Sequence, residues 1–198
     1  MENHDPITVG QAGKLYDVFV AALCKSGLPK EPSQQVIEHH GVQVVDEMVA
    51  VFRKHVEAIS NTIVRHVSVN RSRTPQKALD ATGRKQYTNE SVVATMPQGK
   101  GDEADVDFFK LDRYVSDADL DKEYELRGLK PADPFTLAAV NEADPAFADK
   151  YPNGTHWKNA DGEWCYLTFS RWGVERYVDC RRDGLDWDVY WWFAGLRK

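Results

Sequence analysis

Three side chains near the C-terminus, His156, Cys165 and Cys180, are of types that can do chemistry together. A cysteine beside a histidine can act as nucleophile and base, and three such groups could hold a metal. The strand registers derived below place all three in one row across neighbouring strands. That row runs onto an apolar face and lacks a fourth ligand, which is more typical of cysteines buried as small hydrophobic groups. We therefore expect no metal, no cofactor and no catalytic role here.

A second candidate is a group of arginines, Arg71, Arg73 and Arg84, around a short predicted helix that starts at Thr74-Pro75. A helix N-terminus with nearby arginines can bind a phosphate group. The glycine-rich loop that normally lets a phosphate approach the backbone is missing. Ordinary surface arginines are therefore favoured, and phosphate binding is the weaker alternative.

The stretch Asp102 to Glu125 holds ten acidic and three basic residues. Such a run could bind a divalent cation or a basic partner, or could mimic a nucleic acid. It lacks the central glycine of an EF-hand loop. A solvated helix face preceded by a charged loop is the favoured interpretation.

The last quarter of the chain, which holds all six tryptophans, predicts an antiparallel meander of about four strands from Thr155 to Ala194. Asp183-Gly184 favours a two-residue hairpin, since both positions need a positive φ. Further turns are expected around Trp172-Gly173 and from Asn159 to Gly162. These turns set the expected cross-strand pairs, which are His156–Cys165, Trp157–Trp164, Cys165–Cys180, Leu167–Val178, Cys180–Trp187, Val178–Val189, Arg176–Trp191 and Val174–Phe193.

Alternation along these strands sorts the side chains onto two faces. The expected core face carries Cys165, Leu167, Phe169, Val174, Val178, Cys180, Trp187, Val189, Trp191 and Phe193. The other face mixes rings with charges, and its expected binding residues are Trp157, Trp164, Tyr166, Tyr177, Arg181, Tyr190 and Trp192. Helices packed over the rings are the alternative to an exposed binding surface.

Arg176 falls on the expected core face, between Phe169 and Trp191. A buried guanidinium needs a partner. A structural partner, such as a carboxylate from a helix or the ring of Trp191, is favoured over an anionic ligand.

Residues 1–66 predict a helical hairpin. A capping box at Thr8 and Gln11 starts the first helix, and Gly27-Leu28-Pro29 ends it. A second helix is expected from Ser33 to His66. Its apolar stripe is longer than the first helix can cover, so this segment is expected to self-associate or to bind a protein partner.

Residues 67–198 predict an α+β domain with short helices before the meander. Expected helix starts are Thr74-Pro75, Asn89, Ser116, Asp133-Pro134 and Asp144-Pro145. The segment Val106–Leu111 reads as a strand.

Composition narrows the classes of protein. A net charge of −6 disfavours general binding to nucleic acid or to an anionic membrane. Three scattered cysteines do not form a disulfide framework, and neither a signal-peptide core nor a membrane-spanning run is present. The expected protein is soluble and cytoplasmic.

No catalytic motif is present, which favours a non-catalytic binding or assembly protein that uses the aromatic sheet face and the long helix. One alternative is a nucleic-acid-binding protein that stacks bases on the same rings. The other is a small hydrolase or transferase with His156 and Cys165, or Arg176, in its site.

Overall fold

The computed structural model describes residues 6–60, 62–182 and 186–198, and for Lys54 and residues 57–60 it describes the backbone alone. The chain divides into two compact units, with the boundary between Val56 and Glu57. Each unit is described by itself below.

The first unit consists of two helices, α1 (Val9–Lys25) and α2 (Lys30–Ser60). The predicted capping box is present, because the Thr8 hydroxyl accepts from the Gln11 N–H and the Gln11 side chain accepts from the Thr8 N–H. No α1 residue is buried, so the described helices do not enclose the shared core that a packed hairpin would have.

Helix α2 ends at Ser60, and the prediction that it continues to His66 is wrong. Residues Thr62–Ser68 instead form strand β1, which pairs antiparallel with a strand that follows residue 102. The spacing of four between the apolar residues Ile63 and Val67 places them on one face of a helix and equally on one face of a strand. Long-range pairing decides the outcome, since β-branched residues pack well on a pleated surface.

In its described residues, the second unit is an α+β domain with a mixed sheet of eight strands, which confirms the predicted class. After β1, its elements are α3 (Pro75–Asp80), β2 (Lys85–Thr88), α4 (Glu90–Val93), β3 (Glu103–Lys110), α5 (Asp117–Leu126), β4 (Leu129–Pro131), α6 (Pro134–Ala143), α7 (Phe147–Lys150), β5 (Asn153–Lys158), β6 (Trp164–Trp172), β7 (Glu175–Arg182) and β8 (Trp192–Arg197). The strand order is β1-β3-β8-β5-β6-β7-β2, with β4 paired to β8. The pairs β2–β7 and β5–β8 are parallel, and the others are antiparallel.

The meander has three consecutive strands, β5 to β7, and the prediction of a fourth beside β7 is wrong. On that side β7 pairs with β2, and β8 lies between β3 and β5. The Asp183-Gly184 turn lies outside the described residues. Because β2 occupies that side of β7, the expected cross-strand pairs are not formed. These are Cys180–Trp187, Val178–Val189, Arg176–Trp191 and Val174–Phe193. Trp187 makes a bridge with Val115 instead, and its ring is buried on the opposite side of the sheet from Cys180.

Strands β6 and β7 pair two residues away from the expected register. Leu167 lies opposite Cys180, and Trp172 lies opposite Glu175. The loop is Gly173-Val174, where Gly173 has φ 60°. A shift of two keeps every side chain on its expected face, because the strand period is two. Val174 leaves the core, however, and is 88% exposed in the turn.

Strands β5 and β6 pair one residue away from the expected register, which reverses the faces of β5. Trp157 lies opposite Cys165, and His156 lies opposite Tyr166. The cause is Gly162, which has φ 79° and adds the left-handed residue of a bulged hairpin loop. The predicted row of His156, Cys165 and Cys180 is wrong for this reason.

Two apolar clusters lie on the two sides of the sheet. The larger contains Leu79, Phe108, Leu137, Leu167, Phe169, Val178 and Cys180 with other residues from α3, α6 and the central strands. The smaller contains Phe109, Leu111, Val115, Leu120, Tyr124, Leu129, Trp187 and Phe193. Helix α5 supplies Leu120 and Tyr124, so this helix covers only part of the second side.

Four of the five predicted helix starts are confirmed, at Thr74, Asn89, Ser116 and Asp133, where each side chain accepts a backbone N–H. The fifth is wrong, because Asp144 forms a turn by accepting from the Ala146 N–H. Helix α7 then begins at Phe147 without a side-chain cap.

Candidate functional site: an aromatic cleft

A cleft of about 580 Å³ lies on the side of the sheet that α5 leaves partly uncovered. Its floor comes from β6 and β7, and its walls come from β2 and the segments before α5 and before β8. The lining residues are Tyr87, Tyr114, Asp117, Tyr166, Thr168, Ser170, Trp172, Tyr177, Asp179, Arg181, Asp186, Trp187, Asp188, Tyr190 and Trp191. Aromatic rings with a few convergent polar groups are typical of ligand sites.

Trp187 anchors the cleft. Its ring makes edge contacts with Tyr166 at 6.0 Å, Trp191 at 6.0 Å and Phe193 at 5.4 Å between centroids. Its Nε1 donates to Asp117 Oδ1 over 2.8 Å, and only 7% of the residue is exposed. The ring lies so close to the β5 backbone that a Cβ on Gly154 would approach within 2.8 Å of it. Glycine at position 154 is therefore needed for this packing.

Several of the other rings are open to solvent. Tyr87 is 44% exposed, Tyr190 is 48% exposed and Tyr114 is 64% exposed. Tyr87 lies 5.4 Å from Tyr177, and Tyr190 lies 4.9 Å from Trp191. The cleft therefore offers aromatic surface at both ends.

The charges around the cleft are mainly negative. Its described lining contains four carboxylates, Asp117, Asp179, Asp186 and Asp188, and one cation, Arg181. Arg181 lies 2.7 Å from Asp179, so this guanidinium is already paired. Asp117 is held by hydrogen bonds within the chain.

His156 is the main partner of Asp117, and it lies beside the cleft on the same side of the sheet. Its Nδ1 lies 2.6 Å from Asp117 Oδ1, its Nε2 lies 3.1 Å from Asp121 Oδ1, and its side chain is fully buried. The ring of Trp164 stacks on the imidazole at 4.6 Å and 14°. Both ring nitrogens are therefore engaged with carboxylates, which suits a structural ion pair.

Burial and the two carboxylates have opposite effects on the imidazole. Burial lowers the pKa of His156, but the hydrogen bonds to Asp117 and Asp121 outweigh it and leave the pKa above its ordinary value. In return, the hydrogen bond from His156 lowers the pKa of Asp121. A proton on His156 therefore stabilises the wall that carries Asp117.

Of the seven predicted binding residues, the cleft brings together Tyr166, Tyr177, Arg181 and Tyr190. Trp157 lies on the opposite face, where it is 8% exposed and its Nε1 donates to Thr95 Oγ1. Trp192 packs against Tyr151 and the larger cluster. Trp164 faces the same side as the cleft but stacks on His156 outside it.

Other lining residues were missed by the sequence reasoning. Tyr87 was missed because β2 pairs with β7 in parallel, a contact between residues that are about ninety positions apart in the sequence. Tyr114 precedes α5, and no periodicity marks it. Trp187 and Trp191 were assigned to the core face because a fourth strand was expected beside β7. Their position in the cleft could not be predicted while that strand was assumed.

The three arginines named as phosphate candidates do not converge on one site. Arg71 makes a bidentate ion pair with Asp133, and Arg73 pairs with Glu142. Arg84 is 6% exposed and donates to the Pro145 carbonyl over 2.9 Å. Burial lowers the pKa of Arg84 to about 10.

Arg176 has the structural partner that was favoured. Its Nε and Nη2 donate to the Asp149 carboxylate of α7 over 2.9 Å and 2.7 Å. The side chain is 39% exposed, so it is not in the core. The ion pair lowers the pKa of Asp149.

Cys165 and Cys180 are buried free thiols on the side opposite His156. Burial raises the pKa of both thiols, and that of Cys180 reaches about 12. A thiol with a raised pKa is a poor nucleophile at neutral pH. Among the described residues, no group of three or more His, Cys, Asp or Glu side chains could hold a metal ion.

The acidic run from Asp102 to Glu125 spans β3 and α5, where many of its carboxylates have partners within the chain. Asp107 pairs with Arg197, and Glu123 pairs with Arg113 and Arg127. The run thus supplies structural ion pairs, and through Asp117 it reaches the cleft.

Comparison with protein-family models, with curated proteins and with solved structures finds no match for this chain. Within the described ranges, no helix combines the length and hydrophobicity needed to cross a bilayer. The function is therefore argued from the cleft itself.

Proposed function

We propose that the protein is a non-catalytic binding protein whose protein partner occupies the aromatic cleft. The observation that carries this proposal is the pair of open rings, Tyr114 and Tyr190, beside a floor anchored by the buried Trp187. Rings with both apolar and polar edges give a large contact area at a small entropic cost. A buried anchor with exposed rings around it is also how interface hot spots are built.

The mixture of rings and charges supports binding over simple burial. Rings needed only for the core would be buried, as the ring of Tyr124 on α5 is with an exposure of 1%. Tyr190 and the neighbouring Asp186 remain exposed instead. Contact with a partner would use both kinds of group.

The two alternatives have less support. Nucleic acid would bring phosphates against Asp179, Asp186 and Asp188, and like charges repel at such short range. A hydrolase built on His156 and Cys165 would need two groups that lie on opposite faces of the sheet. The cleft therefore favours a polypeptide partner.

We propose further that α2 mediates self-association. Its apolar residues are open to solvent in the described unit, with Ile37 65% exposed, Val45 56% exposed and Phe52 38% exposed. A helix of 31 residues exceeds α1, which has 17. A second copy of the same helix supplies an equally long apolar stripe, as in bundles and coiled coils.

A cytoplasmic location is part of the proposal. All three cysteines are unpaired, and Cys24 is exposed, which fits a reducing compartment.

The test of the cleft is partner capture by purified Tyr190→Ala. We expect the variant to retain its melting temperature but to lose at least about 80% of the captured partner, since truncating a hot-spot ring costs about 2 kcal/mol or more. The matched control is Leu126→Ala, an exposed residue outside the cleft. Equal capture by Tyr190→Ala and the wild type would refute the proposal.

The test of α2 is light scattering on Phe52→Glu. We expect a shift to monomer, because a charge would enter the proposed apolar contact. Gln35→Glu adds the same charge on the same helix without removing apolar surface, and it should leave the mass unchanged. A wild type that is already monomeric would rule out self-association.

A further inference from the structure

We infer that the partner inserts the basic side chain of an arginine or lysine into the cleft, between the Asp186–Asp188 edge and the rings of Tyr114, Tyr190 and Trp191. This inference rests on the proposed binding function and names the chemistry that the cleft recognises. Three observations support it, namely the charge of the lining, the ring faces that no cation of the described chain covers, and the size of the cleft.

The charge is uneven along the cleft. At the β7 end, Asp179 is paired with Arg181. At the other end, Asp186 is exposed, and Asp188 accepts from the Val189 N–H with one oxygen. Within the described residues, neither Asp186 nor Asp188 has an ion-pair partner. A cation from outside would complete this end.

The rings show the same asymmetry. At the β7 end, the ammonium of Lys85 lies 5.9 Å from the Tyr87 centroid and 5.7 Å from the Tyr177 centroid. The guanidinium of Arg181 lies 6.0 Å from the Tyr87 ring. These tyrosines already contact cations of their own chain.

At the Asp186–Asp188 edge, no cation of the described chain lies over the rings of Tyr114, Tyr190 or Trp191. Cations bind the faces of such rings, most strongly where water is excluded. A nearby carboxylate adds to the attraction. Burial, followed by the charge of Asp188, raises the pKa of Tyr190.

The size of the cleft is also suitable for an inserted arginine or lysine side chain. Its volume of about 580 Å³ holds one long side chain with its neighbouring backbone, and it is open along one side. Arginine suits the site best, because its planar guanidinium can stack on a ring while it donates to two carboxylates.

The test is a fluorescence titration that follows tryptophan emission, to which the cleft residues Trp172, Trp187 and Trp191 contribute. The probe is a hexa-arginine peptide, and its neutral match is hexa-citrulline, which keeps the shape and removes the charge. We expect hexa-arginine to bind at least about tenfold more tightly, which corresponds to a difference of about 1.4 kcal/mol. Asp186→Asn with Asp188→Asn should weaken hexa-arginine by a similar factor.

A control removes general charge attraction from the comparison. Glu90→Gln with Asp161→Asn neutralises two exposed acids outside the cleft and should change the affinity less than about twofold. Equal effects of the two double variants, or equal binding of the two peptides, would overturn the inference. So would tighter binding of single-stranded DNA or of an oligosaccharide in the same titration.

Different results would refute the proposed function and the inference about the basic side chain. Loss of the arginine preference while Tyr190→Ala still abolishes partner capture would leave the cleft as a binding site for another kind of side chain. Unchanged capture by Tyr190→Ala would remove the cleft as a partner site, whatever the peptides do.

Discussion

Strands β5 to β7 carry aromatic side chains on both faces, yet the two faces differ in what covers them. On one face Phe169, Cys180 and Leu167 are fully buried under helices and neighbouring strands. On the other face Trp187 is buried, while Tyr190 and Tyr87 remain open. The face with Phe169 is part of the core throughout. The face with Trp187 is buried at one end and forms the open cleft at the other. The difference arises because α5 covers only part of the second side.

The largest expected effect is the difference in stability between ring deletions on the two faces. Phe169→Ala removes a ring that is 0% exposed, so it should lower the free energy of unfolding by about 3–5 kcal/mol. Tyr190→Ala on the other face should cost about 1 kcal/mol or less. Urea denaturation of both variants checks this contrast, and equal losses would show that the cleft face is as much a core as the other.

The next largest effect is expected at the contact between Gly154 of β5 and the Trp187 ring. Gly154→Ala puts a Cβ within 2.8 Å of the Trp187 ring and 3.0 Å of Thr168 Cγ2, and such overpacking costs about 1–3 kcal/mol. Adding Thr168→Ser removes one of the two contacts and should recover part of the loss. No recovery in thermal denaturation would argue against this packing.

The smallest expected effect is a pH-dependent one at His156. Its raised pKa means that the protonated ring adds stability below its ordinary pKa, and this contribution is lost as pH rises through the folded value. The lowered pKa of Asp121 acts in the opposite direction, and its contribution is lost as pH falls through the folded value. His156→Gln should therefore cost most between about pH 4 and pH 6.5.

Denaturant unfolding of the wild type and His156→Gln at pH 5 and pH 9 measures this difference. The gap between them should narrow at pH 9. A gap that does not change with pH would mean that the imidazole acts only by packing against Trp164 and Tyr124.

Local signals in the sequence predicted local structure well. The caps at Thr74, Ser116 and Asp133 were readable because each places an acceptor next to free N–H groups. The faces of β6 and β7 were also correct, because an error of two residues leaves alternation intact. Arg176 was correctly expected to have a structural partner, since a buried or half-buried guanidinium needs one.

Most of the errors arise because long-range pairing overrides a local signal, and one arises from the length of a hairpin loop. Asp183-Gly184 is a hairpin signal, but β7 pairs with β2, and nothing near residue 180 encodes that choice. Gly162 adds one residue to a loop, and this is enough to move His156 away from Cys165. The cleft was predicted only in part, because Tyr87 and Tyr114 come from segments far along the chain.

The most direct test of the central claim is site-specific photocrosslinking in the cell. A photoreactive phenylalanine analogue at Tyr190 should yield a crosslink to one discrete protein partner, and the same analogue at Leu126 should yield none. The account predicts that the crosslink at position 190 disappears in the background of Asp186→Asn with Asp188→Asn. Crosslinking of similar strength at positions 190 and 126, or none at position 190, would contradict the claim that the aromatic cleft is a partner site.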